Sequence, residues 1–191
     1  VSNLIPTLRV AVIGEKSSLL VRQLGISESS LESAHVALFI VSATSGIVTA
    51  DLESWRFARD HYIPSIVAIS DLDSSEIDFE DMTAIASKML DPVVTPFLVL
   101  HSDDGSPAAL INLETFEILD YSTEVVSVQE ADTEHIELTQ EFREEYLEAV
   151  EAAGEDSFIA ALLFPALPWI ASSGMGIAQM QQYLNQVPVL S

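Results

Sequence analysis

Val10-Ala11-Val12-Ile13-Gly14-Glu15-Lys16-Ser17-Ser18-Leu19-Leu20 is the stretch that decides the architecture. Val10–Ile13 is uniformly apolar and mostly β-branched, the pattern of a strand buried on both faces. Gly14 ends it, and the next residues read as a helix over Ser17–Leu24. The rhythm recurs along the chain. Strands are predicted at Val36–Val41, Ser65–Ile69, Phe97–Leu100 and Trp169–Ala171. Helices are predicted at Asp51–Asp60, Asp81–Met89, Leu138–Ala152, Ser157–Leu163 and Ile177–Gln186. Such alternation implies a three-layer α/β fold around a mostly parallel sheet.

The same stretch bears on phosphate chemistry. A phosphate-binding loop of the form G-x-x-x-x-G-K-[ST] joins a strand to a helix. It works by curling successive backbone N–H groups around phosphate oxygens at the helix N-terminus. Here Lys16 and Ser17 remain, but only Glu15 separates them from Gly14. A one-residue connection cannot curl. Glu15 also places a carboxylate where phosphate oxygens would sit. At ~5 Å and an effective dielectric of ~20, each such charge pair costs roughly 3 kcal/mol.

One region departs from the α/β rhythm. His101-Ser102-Asp103-Asp104-Gly105-Ser106-Pro107 is a turn cluster between the apolar runs Phe97–Leu100 and Ala108–Leu113. Phe116–Leu119 follows after a tight reversal at Asn112–Thr115. A small antiparallel insert is expected between Thr95 and about Val128. In the helix that follows, Leu138, Phe142, Tyr146, Ala149, Val150 and Ala153 share one face, which is expected to pack and leave the glutamates outside.

Composition narrows the function. The chain has 191 residues, 30 acidic and 7 basic, for a net charge of −23. Nucleic-acid binding requires clustered Lys or Arg, so none is expected of this domain. Glu124–Asp156 carries twelve acidic residues against Arg143 alone. That run is either a solvated face or a docking face for a basic partner. No apolar run is long enough for a membrane span. No export signal is apparent, and cysteine is absent, so a cytoplasmic protein is expected. The histidines show no metal-ligand spacing.

The stretch Ser42–Asp73 carries a family resemblance. It reads Ser42-Ala-Thr-Ser-Gly46-Ile-Val, then Trp55-Arg56-Phe-Ala58, then Ile63-Pro64 and Ser70-Asp71-Leu72-Asp73. This is similar to the G domain of translation elongation factor G and its elongation-factor-G-like paralogues. There a strand ending D-A-x-x-G-V precedes W-R-x-A, V-P and the base-reading N-K-x-D. Leu31–Leu38 looks like the lead-in to that strand. Ala171-Ser172-Ser173, Gly176-Ile177 and Val187-Pro188 resemble the guanine loop, the following helix start and the domain exit. The resemblance implies a P-loop-NTPase-like fold over 1–191 and an insert subdomain at about 95–155. It also makes the chain part of a longer parent.

The departures from that family decide the expected function. Asp73 is retained, but the Asn and Lys positions are Ser70 and Asp71. Gly25–Leu31 bridges a gap where the family has both switch regions, the magnesium-binding threonine and the catalytic histidine. Positioning of metal, phosphates and water is what phosphoryl transfer requires. The resemblance therefore implies a degenerate G-like domain, unable to hydrolyse GTP, with no catalytic and no metal residues. Its role would be that of a scaffold or a protein-interaction surface. Vestigial nucleotide positions are Gly14, Lys16, Ser17, Ser70, Asp71, Asp73, Ser172 and Ser173. The competing readings are local: Lys16-Ser17 as a helix start, Asp73 as a cap of the next turn or helix, Ser172-Ser173 as a strand-end turn. No cofactor is expected. The alternative is a working GTP-binding translation factor domain, which would take GTP or GDP with Mg2+. Expected partners are a protein or further domains of the parent, and the ribosome through that parent. A small-molecule enzyme on the same fold lacks a convergent nucleophile, base and electrophile.

Overall fold

The structure is a computed structural model that describes residues 7–189. A domain over 1–191 therefore extends beyond the described residues at both ends. The main sheet has five parallel strands: β1 Val10–Ile13, β2 Val36–Ser42, β3 Ser65–Ser70, β4 Val93–Val94 and β9 Phe164–Pro168. Their spatial order is β1-β2-β3-β9-β4. Helices α1 (Ser17–Leu24), α2 (Thr49–Asp60) and α3 (Phe79–Met89) follow β1, β2 and β3 in turn. Every residue of β2 and β3 is buried. This is why both read as unbroken apolar runs rather than alternating ones. Trp55 of α2 stands edge-on to Phe39 at 4.9 Å and to Phe164 at 5.1 Å. Edge-to-face pairs of this kind add about 1 kcal/mol each beyond area burial.

The second sheet is antiparallel. It comprises β5 Phe97–His101, β6 Pro107–Asn112, β7 Glu117–Asp120 and β8 Ser127–Glu130, which neighbour one another in chain order. Period-2 alternation gives it two apolar faces. Phe97, Val99, Leu110 and Leu119 join the main core, while Leu98, Ile111, Ile118 and Tyr146 form a second cluster beneath α4 (Thr133–Ala153). The expected reversal at Asn112–Thr115 is present. Asn112 Oδ1 accepts from the Glu114 and Thr115 amides, at 2.8 and 3.3 Å. The fold is therefore α/β with a parallel sheet and an antiparallel insert, as the sequence implies.

Five local expectations need correction. The last parallel strand is Phe164–Pro168, not Trp169–Ala171. Pro165 and Pro168 disguise it, since proline withholds a ladder donor. No helix forms over Ser157–Leu163, where the chain turns with Asp156 at φ 57° and Ala161 at φ 55°. The face proposed to bury Leu138 and Phe142 is partly bare: they are 68% and 42% exposed. The helix also starts earlier, at Thr133, because the Asp132 side chain accepts from the His135 amide and caps it. α5 spans Ile177–Leu184, two residues shorter than expected.

Candidate functional site

The site lies at the carboxyl ends of β1, β2 and β3, where ligands bind in open α/β sheets. The path from β1 to α1 is a sharp corner. Gly14 takes φ 114° and Lys16 takes φ 63°, and α1 begins at Ser17. A Cβ on Gly14 would stand 2.5 Å from the Ile40 carbonyl oxygen, so β1 and β2 approach here only because position 14 is glycine. Lys16 occupies the N-cap without a side-chain cap. Its carbonyl accepts from the Leu19 and Leu20 amides.

The Lys16 ammonium pairs with Asp71 Oδ1. Asp71 follows β3, has φ 62°, and its side chain is only 9% exposed. Its other oxygen accepts from Ser42 Oγ at 2.6 Å and from Ser70 Oγ at 3.2 Å. Ser42 Oγ in turn accepts from the Thr44 and Ser45 amides at 3.2 and 3.1 Å. Burial pushes the Asp71 carboxyl up, but hydrogen bonds from Lys16 and Ser42 and the ammonium charge outweigh it. The net position is below the ordinary 3.8. The carboxylate is thus ionised and fully engaged by the protein's own donors.

Beside this pair is a cavity of about 320 Å3 lined in part by Gly14, Glu15, Ser42, Ser45 and Asp51. Ser45 Oγ donates to Glu15 Oε2 at 3.2 Å. The Asp51 carboxyl is raised above its ordinary value by burial and by the charge of Glu15, against a backbone hydrogen bond at Val48. Among the described residues, no Lys or Arg lines the cavity. An anion entering it would meet two carboxylates.

The sequence-derived positions separate into three groups. Gly14, Lys16, Ser70 and Asp71 are brought together around the ion pair. Asp73 and Ser172 meet nearby, with Ser172 Oγ 3.4 Å from Asp73 Oδ2. Ser17 is the first residue of α1, and Ser173 Oγ accepts from the Met175 amide, closing a turn. The cap of the next helix is Asp78 and not Asp73: Asp78 Oδ1 accepts from the Asp81 amide at the start of α3. Ser42, Ser45 and Asp51 were not among the sequence-derived positions. A hydroxyl closing the buried run Val36–Val41, just before Thr44-Ser45-Gly46, was the available signal. No group of three or more metal-ligating side chains occurs among the described residues.

No family model matches this chain. Solved structures do match. One is a crystal structure of a protein from Thermus thermophilus, superposing with a TM-score of 0.72 at 22% identity over 83% of this chain. At that identity the likeness shows the shared fold. This chain spans 27% of the length of that protein. No helix among the described residues is long and apolar enough to cross a membrane.

Proposed function

We propose that this chain is a degenerate G-like domain, related to those of elongation-factor-G-like proteins, that neither binds guanine nucleotide tightly nor hydrolyses it. It serves a longer cytoplasmic parent as a scaffold and protein-interaction domain. One observation carries the reading: the Lys16 ammonium is spent on Asp71. In a phosphate loop that lysine is the point charge that meets the phosphates. Here it is neutralised within the protein. The connection from Gly14 to Ser17 is too short for the long loop of a phosphate-binding motif, and Glu15 and Asp51 line the cavity beside it. Titration with a fluorescent GDP or GTP analogue and magnesium tests this. Absence of saturation supports the proposal, and micromolar affinity overturns it.

A second reading keeps guanine recognition. The approach of Ser172 to Asp73 favours it, because the two resemble the family's base-reading loops. In this reading the parent turns over GTP in the presence of ribosomes, and Lys16→Ala abolishes turnover. Equal, near-zero rates in both proteins would remove the support for it.

A further inference from the structure

β8 is the outer strand of the antiparallel sheet, and no described residue pairs with its far edge. Alternate residues of an antiparallel strand point their N–H and C=O groups away from the partner strand. Ser127–Glu130, exposed throughout, therefore offers a short unpaired ladder. The row Val99–Leu110–Leu119–Val128 crosses one face of the sheet. Leu110 is 0% exposed and Val128 is 60% exposed, so the apolar row outruns the core that covers it. Val126, on the same face, borders an open cavity of about 410 Å3 together with Leu119, Tyr121, Ile177 and Ala178. Sheet edges are normally protected by charge, proline or a covering element. This one shows exposed valines at 125, 126 and 128.

The surrounding charge identifies the occupant. Glu117 and Glu130 stand directly opposite each other across β7 and β8, a like-charge pairing that costs stability. Glu124 lies at the other end of the same exposed segment. A second copy would bring two chains of net charge −23 together.

We propose that β8 docks an extended segment of a partner protein, one that carries apolar residues at alternate positions flanked, on the same face, by basic residues, and adds as a fifth strand. Its apolar side chains continue the row past Val128 and fill the cavity beside Ile177. Its flanking lysines or arginines lie on the face shared by Val128 and Glu130 and neutralise Glu130 and the nearby Glu124. Backbone pairing supplies affinity, and the alternate side chains set register. The inference rests on reading the domain as an interaction module, but it uses no residue of the Lys16–Asp71 site.

The test is titration of the isotope-labelled chain with a capped peptide that carries two valines flanked by lysines at alternate positions, with threonines between them, following amide shifts and hydrogen exchange. The expected result is shifts concentrated at Ser127–Glu130 and Ile177–Ala178, with slowed exchange in β8. Val128→Lys weakens binding roughly tenfold, and Glu130→Gln reduces its salt dependence. A peptide with proline replacing one of its valines fails to bind. No shift at millimolar peptide overturns the proposal. So do shifts spread along α4 instead, equal binding of the proline peptide, or dimerisation of the free chain through β8. Saturable GTP binding by the same sample would instead remove the premise about the nucleotide site, and the β8 result would remain readable alone.

Discussion

Asp71 is held in a left-handed backbone position with both carboxylate oxygens engaged. Asparagine tolerates that backbone region and keeps the shape, so Asp71→Asn isolates the charge. Removing one partner of a buried pair costs about 3–5 kcal/mol. Lys16 is 48% exposed, so water recovers part of that. The expected loss in urea denaturation is about 1–2 kcal/mol, and less than that when Lys16→Met is already present. The sign of the pH effect follows from the lowered folded-state carboxyl. Its contribution is complete above the ordinary 3.8 and is lost as pH falls through the lowered value. His35 supplies a second titration in a different window. Its Nδ1 accepts from the Arg9 amide at 3.1 Å, which only neutral imidazole can do. Burial and the charge of Arg9 lower it below 6.5. The unfolded chain then binds the proton more readily, so stability falls as pH drops through 6.5 towards the folded value. Urea midpoints measured across that window should slope in the native protein and flatten in His35→Gln.

Two elements meet where glycine allows it. A Cβ on Gly176, ahead of α5, would lie 1.9 Å from the Pro168 carbonyl oxygen that ends β9. Gly176 also has φ 93°. Gly176→Ala must therefore separate α5 from β9, with an expected cost above about 3 kcal/mol; unchanged thermal stability would contradict this contact. Helices and strands with a clean period were legible in the sequence: β1, β2, β3 and α2 lie within two residues of expectation. β9 was hidden by its prolines. Over Ser157–Leu163, tertiary packing of Phe158 and Ala161 won over helical propensity. α4 misled because it lies over the insert through a narrow stripe that includes Thr139 and Tyr146, leaving Leu138 and Phe142 outside it. At the site, Lys16 was legible as a residue retained from a phosphate-loop pattern, and Asp71 as a carboxylate where the base-reading pattern has lysine. Their pairing was not, because 55 residues separate them and only the register of β1, β2 and β3 brings them together.

For the molecule as a whole, charge is the dominant long-range term. Thirty acidic residues against seven basic ones favour expansion by self-repulsion. Added salt screens this over about 8–10 Å near physiological ionic strength. The melting temperature should therefore rise with sodium chloride, and a flat or falling dependence would show that local ion pairs outweigh net charge. On the proposed reading, the Lys16–Asp71 pair takes the place of a phosphate contact, so nucleotide should add no stability. The decisive experiment follows the backbone amides of Gly14–Ser17 and Asp71 by nuclear magnetic resonance while GTP and magnesium are added. These amides are expected to stay in place up to millimolar nucleotide. Saturable displacement at micromolar nucleotide, centred on Gly14–Ser17, would show instead that the corner still holds phosphate.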